Sequence, residues 1–153
     1  MKNILYGLLL FGFSFLSFGF KSPPRLDGGG VLSVVINGIA TQQGTVRVVI
    51  YNSQDNFLER DGYVYKQTIA VGNKKSVKLD FHMPHAYYVV SAYHDINDNH
   101  TLDRNSLGLP IEPYALSNNP TVKWRKPTFD ETKFAFNQAN QIISLDIKLW
   151  KER

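Results

Sequence analysis

The chain contains no cysteine, so disulfides, thiolate metal sites and a lipid anchor attached to an N-terminal cysteine are all excluded. Its stability must therefore come from the hydrophobic core alone, or from that core together with a bound metal ion. The sequence also has no internal repeat and no amphipathic helix of normal length. These absences leave β-structure as the main architecture.

The excess of positive over negative charge is also small. The chain has 17 Lys and Arg and 13 Asp and Glu, which gives a formal net charge of +4. The basic residues are scattered, and the two short groups are Lys74-Lys75 and the segment from Lys123 to Lys126. A nucleic-acid-binding face would need clustered Arg and Lys. We therefore interpret the charge as a solvated surface and predict no nucleic-acid partner.

The only long apolar run lies at the start of the chain, from Ile4 to Phe20, behind Lys2. Ser17-Phe18-Gly19 places small residues at the spacing of a cleavage site. This pattern predicts a signal peptide over residues 1–19, and hence a secreted or periplasmic protein with no stable membrane insertion after cleavage. An uncleaved membrane anchor is the alternative, since the run approaches the length of a membrane span. The Pro- and Gly-rich residues 20–30 predict a flexible linker.

Residues 31–150 consist of short β-rich runs between turn residues, which predicts a single domain. Val77, Leu79 and Phe81 alternate with polar residues, which indicates a strand with one face in the core. Residues 86–94 are apolar or aromatic on both faces, which indicates a central strand. The count of about seven short strands predicts an all-β fold, an antiparallel β-sandwich of immunoglobulin-like or transthyretin-like type.

The connections between these runs differ in length. Gln42-Gln43-Gly44 is short enough to join the first two runs, 31–39 and 45–52, as a hairpin. Single helical turns are predicted within residues 53–61 and 128–132. Residues 96–126 contain no periodic element, and so long a loop in a compact domain is usually functional or needs to be tied down.

That loop begins with side-chain oxygens at alternating positions. In helix-loop-helix calcium sites, positions 1, 3 and 5 supply side-chain oxygens, position 7 a backbone carbonyl and position 9 a carboxylate or a water-bridged ligand. The spacing predicts a calcium site, completed by a glutamate that folds back from further along the chain. Its ligands would be Asp95, Asn97, Asn99, Thr101, Asp103 and Glu112.

Two positions depart from the calcium pattern. His100 stands at the sixth position, where glycine normally makes the sharp turn, and Ser106 stands at the twelfth, where a bidentate glutamate belongs. The alternative interpretation is that Asp and Asn form turns here by hydrogen bonding to their own backbone.

Catalytic patterns are weaker. A hydrolase could use Asp95 and Glu112 as a carboxylate pair, or His94. Carboxylates that converge on one loop would favour metal binding, whereas carboxylates that face each other across an open cleft would favour catalysis. Tyr114, Trp124 and Phe129 lie in or beside the long loop, where they either pack or form a platform for a sugar or peptide.

Three submotifs in this region occur in a fixed order: His94-Asp95-x-Asn97-x-Asn99-x-x-Leu102-Asp103, then Gly108-x-Pro110-x-Glu112-Pro113-Tyr114, then Ser117-Asn118-Asn119. With them, the chain resembles a family of small exported bacterial proteins that is catalogued as a domain of unknown function. The likeness extends over about residues 31–150. It implies a secreted or periplasmic single-domain β protein with no established activity. The family commonly has glycine where this chain has Asp98 or His100.

The sequence as a whole predicts an exported β-sandwich that acts as a binding or structural module, with an Asp/Asn loop that is a candidate for calcium. Its partner would be a ligand or a component of the cell envelope, contacted through the segment from Ile96 to Lys126. The alternative is a cell-envelope hydrolase that uses Asp95 and Glu112, or His94.

Overall fold

Two β-sheets pack face to face in the structure, a computed structural model that describes residues 28–122 and 125–152. The described residues form eight strands, one short α-helix and a final 3₁₀ turn at Trp150–Glu152. The elements are β1 (Gly29–Asn37), β2 (Thr45–Tyr51), β3 (Tyr65–Ala70), β4 (Ser76–Pro84), β5 (Ala86–Asp95), β6 (Tyr114–Leu116), α1 (Phe129–Thr132), β7 (Phe134–Phe136) and β8 (Asn140–Asp146). The predicted all-β sandwich is confirmed.

The smaller sheet has the order β4-β1-β8. β1 runs antiparallel to β4, with Val34 opposite Leu79, and parallel to β8, with Val34 beside Ile143. The first and last strands of the domain are therefore neighbours. The sequence predicted antiparallel pairing, but β8 runs in the same direction as β1 and opposite to β4.

The larger sheet has the order β3-β2-β5-β6, and β7 pairs with the first residues of β5. All of these pairings are antiparallel. β5 therefore has neighbours on both edges, as expected of a central strand with apolar residues on both faces.

Alternation along the strands produces the core between the sheets. Val46, Val48 and Ile50 of β2 are fully buried, and they pack with Leu32, Val34 and Ile36 of β1. Because successive side chains of a strand point to opposite faces, Arg47, Val49 and Tyr51 lie on the outer face of the larger sheet.

Two local predictions are wrong, and the first strand begins earlier than predicted. β1 and β2 belong to different sheets, so Gln42-Gln43-Gly44 is part of a crossing between sheets and not a hairpin. β1 begins at Gly29, inside the predicted linker. A Cβ on Gly30 would lie 2.4 Å from the carbonyl oxygen of Ala139, so this glycine permits close backbone packing. Residues 53–61 form turns and no helix.

The structure tests only some of the predictions made for the ends of the chain. The predicted signal peptide and most of the predicted linker, residues 20–27, lie outside the described residues. Among the described residues, no helix is both long and apolar enough to cross a membrane. The helical turn predicted at residues 128–132 is present as α1, with Thr128 and Glu131 forming a capping box.

Candidate functional site

The loop after β5 is organised by the carboxylate of Asp95, which is completely buried. Its Oδ1 accepts a hydrogen bond from the backbone N–H of Asn99 at 3.1 Å, and its Oδ2 accepts one from the backbone N–H of His100 at 2.9 Å. The Arg47 Nε lies 3.5 Å from Oδ2 and supplies the opposite charge. Arg47 also donates to the carbonyl oxygen of His100 at 3.0 Å. A buried carboxylate needs such partners, and here it folds the loop around itself.

The next two predicted ligands point towards Asp103. The Nδ2 atoms of Asn97 and Asn99 donate to the two carboxylate oxygens of Asp103, each at 2.8 Å. The Asn97 Oδ1 accepts from the backbone N–H of Asn99, and the Asn99 Oδ1 accepts from the backbone N–H and the hydroxyl of Thr101. The alternating oxygens therefore form successive Asx turns.

Glu112 joins the two ends of the loop. It is 4% exposed, and its carboxylate accepts hydrogen bonds from the backbone N–H of Ile96 at 2.9 Å and of Asp103 at 3.1 Å. The sequence predicted that Glu112 folds back onto this loop, and Glu112 does contact it. The predicted contact was to a metal ion, whereas the contacts in the structure are to backbone N–H groups.

Five of the six predicted calcium ligands thus lie within residues 95–103, and Glu112 contacts both ends of that segment. Most of their side-chain oxygens already accept hydrogen bonds from the loop itself. Within the described parts of the chain, no three His, Cys, Asp or Glu side chains are grouped as a metal site. Calcium binding stays a prediction.

Two residues of the loop have left-handed backbones, Asp98 with φ 56° and His100 with φ 70°. Glycine adopts this region without strain, whereas most other residues do not. Both residues therefore hold a backbone geometry that glycine would adopt at lower cost.

The Ser117-Asn118-Asn119 motif holds three elements together. The buried Ser117 hydroxyl accepts from the backbone N–H of Val90 at 3.1 Å and donates to the carbonyl oxygen of Thr132 at 2.6 Å. Asn118 donates to the carbonyl oxygen of Lys133 at 2.9 Å. The motif therefore connects the end of β6 to β5 and α1, which is a structural role.

The residues of the hydrolase alternative do not face an open cleft. Asp95 and Glu112 are buried and bonded to backbone N–H groups. His94 is fully buried, with its Nε2 2.7 Å from the carbonyl oxygen of Gln43. This geometry lends the hydrolase alternative no support.

A cavity of about 650 Å³ lies beside the loop, on the outer face of the larger sheet. Its floor is formed by outward-facing residues of β2, β5 and β6, namely Arg47, Val49, Tyr51, Ser91, Tyr93, Tyr114 and Leu116. The buried core lies directly behind this floor. The floor is therefore part of the rigid sandwich.

Four segments of chain, together with Lys66 of β3, wall the cavity. Residues 58–63 follow β2, residues 100–110 follow β5, Val122 and residues 125–127 lead towards α1, and Trp150 lies in the final turn. Tyr114 is half-buried in this cavity, while Phe129 packs with Tyr51 and Leu116 in a second small core. Trp124 lies outside the described residues.

Two tyrosines of the cavity, Tyr51 and Tyr93, have raised pKa values. Burial, and next the neighbouring Tyr93 and Glu59, raise the pKa of Tyr51 to about 12. Burial also raises the pKa of Tyr93, and the adjacent Arg47 guanidinium opposes that shift. Both hydroxyls are therefore neutral near pH 7 and can donate as well as accept hydrogen bonds.

The fold defines a small all-β sandwich module. The chain belongs to the DUF2141 family, described as an uncharacterized protein conserved in bacteria, whose model matches residues 34–144. No curated protein and no solved structure matches the chain. The predicted membership of a family of unknown function is confirmed.

Sequence reasoning missed the cavity. It did single out the segment from Ile96 to Lys126 as a binding surface, and that segment supplies His100, Leu102, Arg104 and Tyr114 to the walls and floor. The residues that β2 and the segment 58–63 supply to the cavity belong to no recognisable sequence motif. Only the polar and aromatic character of the outer face of β2, with Arg47 and Tyr51, was a signal in the sequence.

Proposed function

We propose that this protein is a binding module that holds a small organic ligand in the cavity on the outer face of the larger sheet. The cavity itself is the observation that carries the proposal. Its volume of about 650 Å³ falls within the range of about 300–1,000 Å³ that is usual for ligand pockets. Its lining combines apolar and aromatic surface with polar and charged side chains that could orient a ligand.

The floor and walls suit recognition by preformed contacts. The floor lies on strands whose other face is the core, so a ligand would meet side chains already held in place, which lowers the entropy lost on binding. Tyr93 and Tyr114 are half-buried and offer ring surface to a ligand. An exported location, which the apolar N-terminal run predicts, belongs to the same proposal, and it places the module at the cell envelope or outside the cell.

The test is a titration of the purified chain with the neutral, apolar fluorophore N-phenyl-1-naphthylamine. We expect saturable binding, which Ser91→Trp abolishes because the new indole fills the cavity above the floor. Ser144→Trp is the matched control, since Ser144 is exposed on the smaller sheet and the variant should bind like the original chain. Binding that Ser91→Trp leaves unchanged would contradict the proposal, provided that circular dichroism shows a folded variant.

Calcium is a second candidate, favoured by the convergence of Asn97 and Asn99 on Asp103. Each amide carries its oxygen beside the nitrogen that now donates, so a half-turn of both amides would direct two further oxygens to the Asp103 carboxylate. A cation would be needed to hold that arrangement. Because Arg47 already neutralises Asp95, the remaining negative charge is small and the affinity should be weak.

Thermal melting in millimolar calcium, magnesium or zinc, and in chelator, tests this second candidate. Calcium at about ten times its Kd would stabilise the fold by about 1.4 kcal/mol, and Asp103→Asn should remove the effect. Equal melting temperatures in all four solutions would rule the site out.

A further inference from the structure

The cations around the cavity outnumber the acids. Six basic side chains line it, Arg47, Arg60, Lys66, Arg104, Arg125 and Lys126, whereas the acidic side chains are Glu59 and Asp61. Like charges that face one opening repel one another. A protein can keep such an arrangement when the charges serve a ligand of opposite sign.

Two of the six cations are already neutralised. Arg47 pairs with the buried Asp95. Arg125 makes a bidentate pair with Glu131, with Nη2 to Oε1 at 2.6 Å and Nη1 to Oε2 at 2.8 Å. These two guanidinium groups therefore hold the walls and are not available to a ligand.

The other four cations come from four separate segments, and none of them has a carboxylate within 4.0 Å in the described part of the chain. Arg104 donates to the carbonyl oxygen of Gly108 at 2.9 Å, which positions it without neutralising it. Lys66 donates to the Tyr63 hydroxyl at 2.8 Å and lies 4.9 Å from the centre of that ring. Arg60 and Lys126 are exposed.

The two acids lie at one end of the cavity. Glu59 and Asp61 belong to the segment that leaves β2 after its last residue, Tyr51. Arg104 belongs to the loop that leaves β5 after Asp95, and Asp95 pairs with the first residue of β2, Thr45. The loop with Arg104 and the segment with the acids therefore start from opposite ends of the same two strands.

We infer that the ligand is a small organic anion, with a carboxylate, sulfonate or phosphate group near Arg104 and a ring or apolar body over the tyrosine floor. This inference rests on the proposed function. Guanidinium groups suit these anions because they donate two parallel hydrogen bonds to a pair of oxygens. The neutral hydroxyls of Tyr51 and Tyr93 add no repulsion.

A matched pair of probes tests the sign of the ligand. The sulfonated dye 8-anilinonaphthalene-1-sulfonate and the neutral N-phenyl-1-naphthylamine share the same ring system. We expect the sulfonated dye to bind about tenfold more tightly, as one charge-assisted contact implies. Added salt should weaken the sulfonated dye and leave the neutral dye unchanged.

Four variants test which cation of the cavity contacts the sulfonate group of the dye. Arg104→Gln should weaken the sulfonated dye about tenfold, whereas Arg104→Lys, which keeps the charge, should weaken it less. Arg60→Gln should have a smaller effect because Glu59 and Asp61 are its neighbours. Lys74→Gln, in the turn before β4 and outside the cavity, should have none.

The outcomes separate the two proposals. Equal binding of both dyes, blocked by Ser91→Trp, would overturn the anionic ligand and leave the binding module standing. A preference for the sulfonated dye that Arg104→Gln and Lys74→Gln leave equally intact would also overturn it, because the charge would act elsewhere. Absence of binding by both dyes would overturn the binding module and the inference with it.

Discussion

The loop after β5 and the cavity beside it are both rich in charged and polar side chains, yet they use them differently. In the loop, the carboxylates of Asp95, Asp103 and Glu112 all accept hydrogen bonds from neighbouring residues. At the cavity, Lys66 and Arg104 have no acidic partner in the described part of the chain. Polar groups that hydrogen bond to one another stabilise a fold, whereas charged groups without an ion-pair partner remain available to bind a ligand.

The strongest way to break this comparison is to alter Asp95. Asp95→Asn removes the charge that pairs with Arg47 and places an amide against backbone N–H groups. We expect the free energy of unfolding to fall by about 3 kcal/mol, as when one partner of a buried pair is lost. Asp98→Asn is the matched control in the same loop, with an exposed side chain, and urea unfolding followed by circular dichroism compares the two. Similar losses in both variants would contradict the role assigned to Asp95.

A pH series sharpens the description of the cavity floor. Since the pKa of Tyr51 is raised from 10.0 to about 12, the unfolded chain releases this proton first as the pH rises. The contribution of Tyr51 to stability is therefore complete below pH 10 and is lost between pH 10 and 12, on the order of 2 kcal/mol.

Urea unfolding between pH 9 and 11 measures that dependence. Tyr51→Phe has no hydroxyl to ionise, so its stability should fall less steeply than that of the original chain. Parallel curves for the two proteins would show that Tyr51 titrates at its ordinary pKa.

The two glutamates provide the most direct comparison of loop with cavity. Glu112→Gln replaces one carboxylate oxygen by a donor, next to the backbone N–H of Ile96 or of Asp103, so the unfolding free energy should fall by about 1.5 kcal/mol. Glu59→Gln changes a cavity carboxylate that is exposed, and it should shift stability by less than about 0.5 kcal/mol. Thermal melting of both variants tests the contrast, which equal shifts would refute.

The smallest expected effect is an increase in the free energy of unfolding. Asp98 has φ 56°, which glycine adopts more readily than aspartate, so Asp98→Gly should raise the unfolding free energy by about 0.5 kcal/mol. Asp98→Ala also removes the carboxylate but keeps a Cβ, and it should be less stable than the glycine variant. The reverse order in urea unfolding would mean that the side chain, and not the backbone, decides stability at this position.

Much of the sandwich could be predicted because alternation is a local property. Val77, Leu79 and Phe81 revealed β4 without any knowledge of their partners. The crossing from β1 to β2 was missed, since both strands have the same pattern and nothing local says which sheet a strand joins. β6 was missed because its three residues are too few for a period to show.

The candidate site could also be predicted only in part, since the loop was found from the sequence and the cavity was not. The loop could be located because Asp95, Asn97 and Asn99 are close in sequence, and Glu112 was included because this chain lacks a glutamate at the twelfth position of the calcium pattern. Whether their oxygens face a metal ion or backbone N–H groups depends on angles that spacing does not encode. The cavity could not be predicted, because Lys66, Arg104 and Lys126 meet only after three distant segments have been folded onto one face.

The parallel pairing of β1 with β8 also determines when the domain can fold. Val31 lies beside Asn140, and Asn37 beside Asp146, so the smaller sheet is incomplete until almost the whole chain is available. Contacts between residues so far apart in sequence slow the search for the native state. We expect the larger sheet to form ahead of the smaller one during synthesis. A chain truncated before residue 140 would therefore leave the backbone of β1 unpaired along the edge that β8 normally covers.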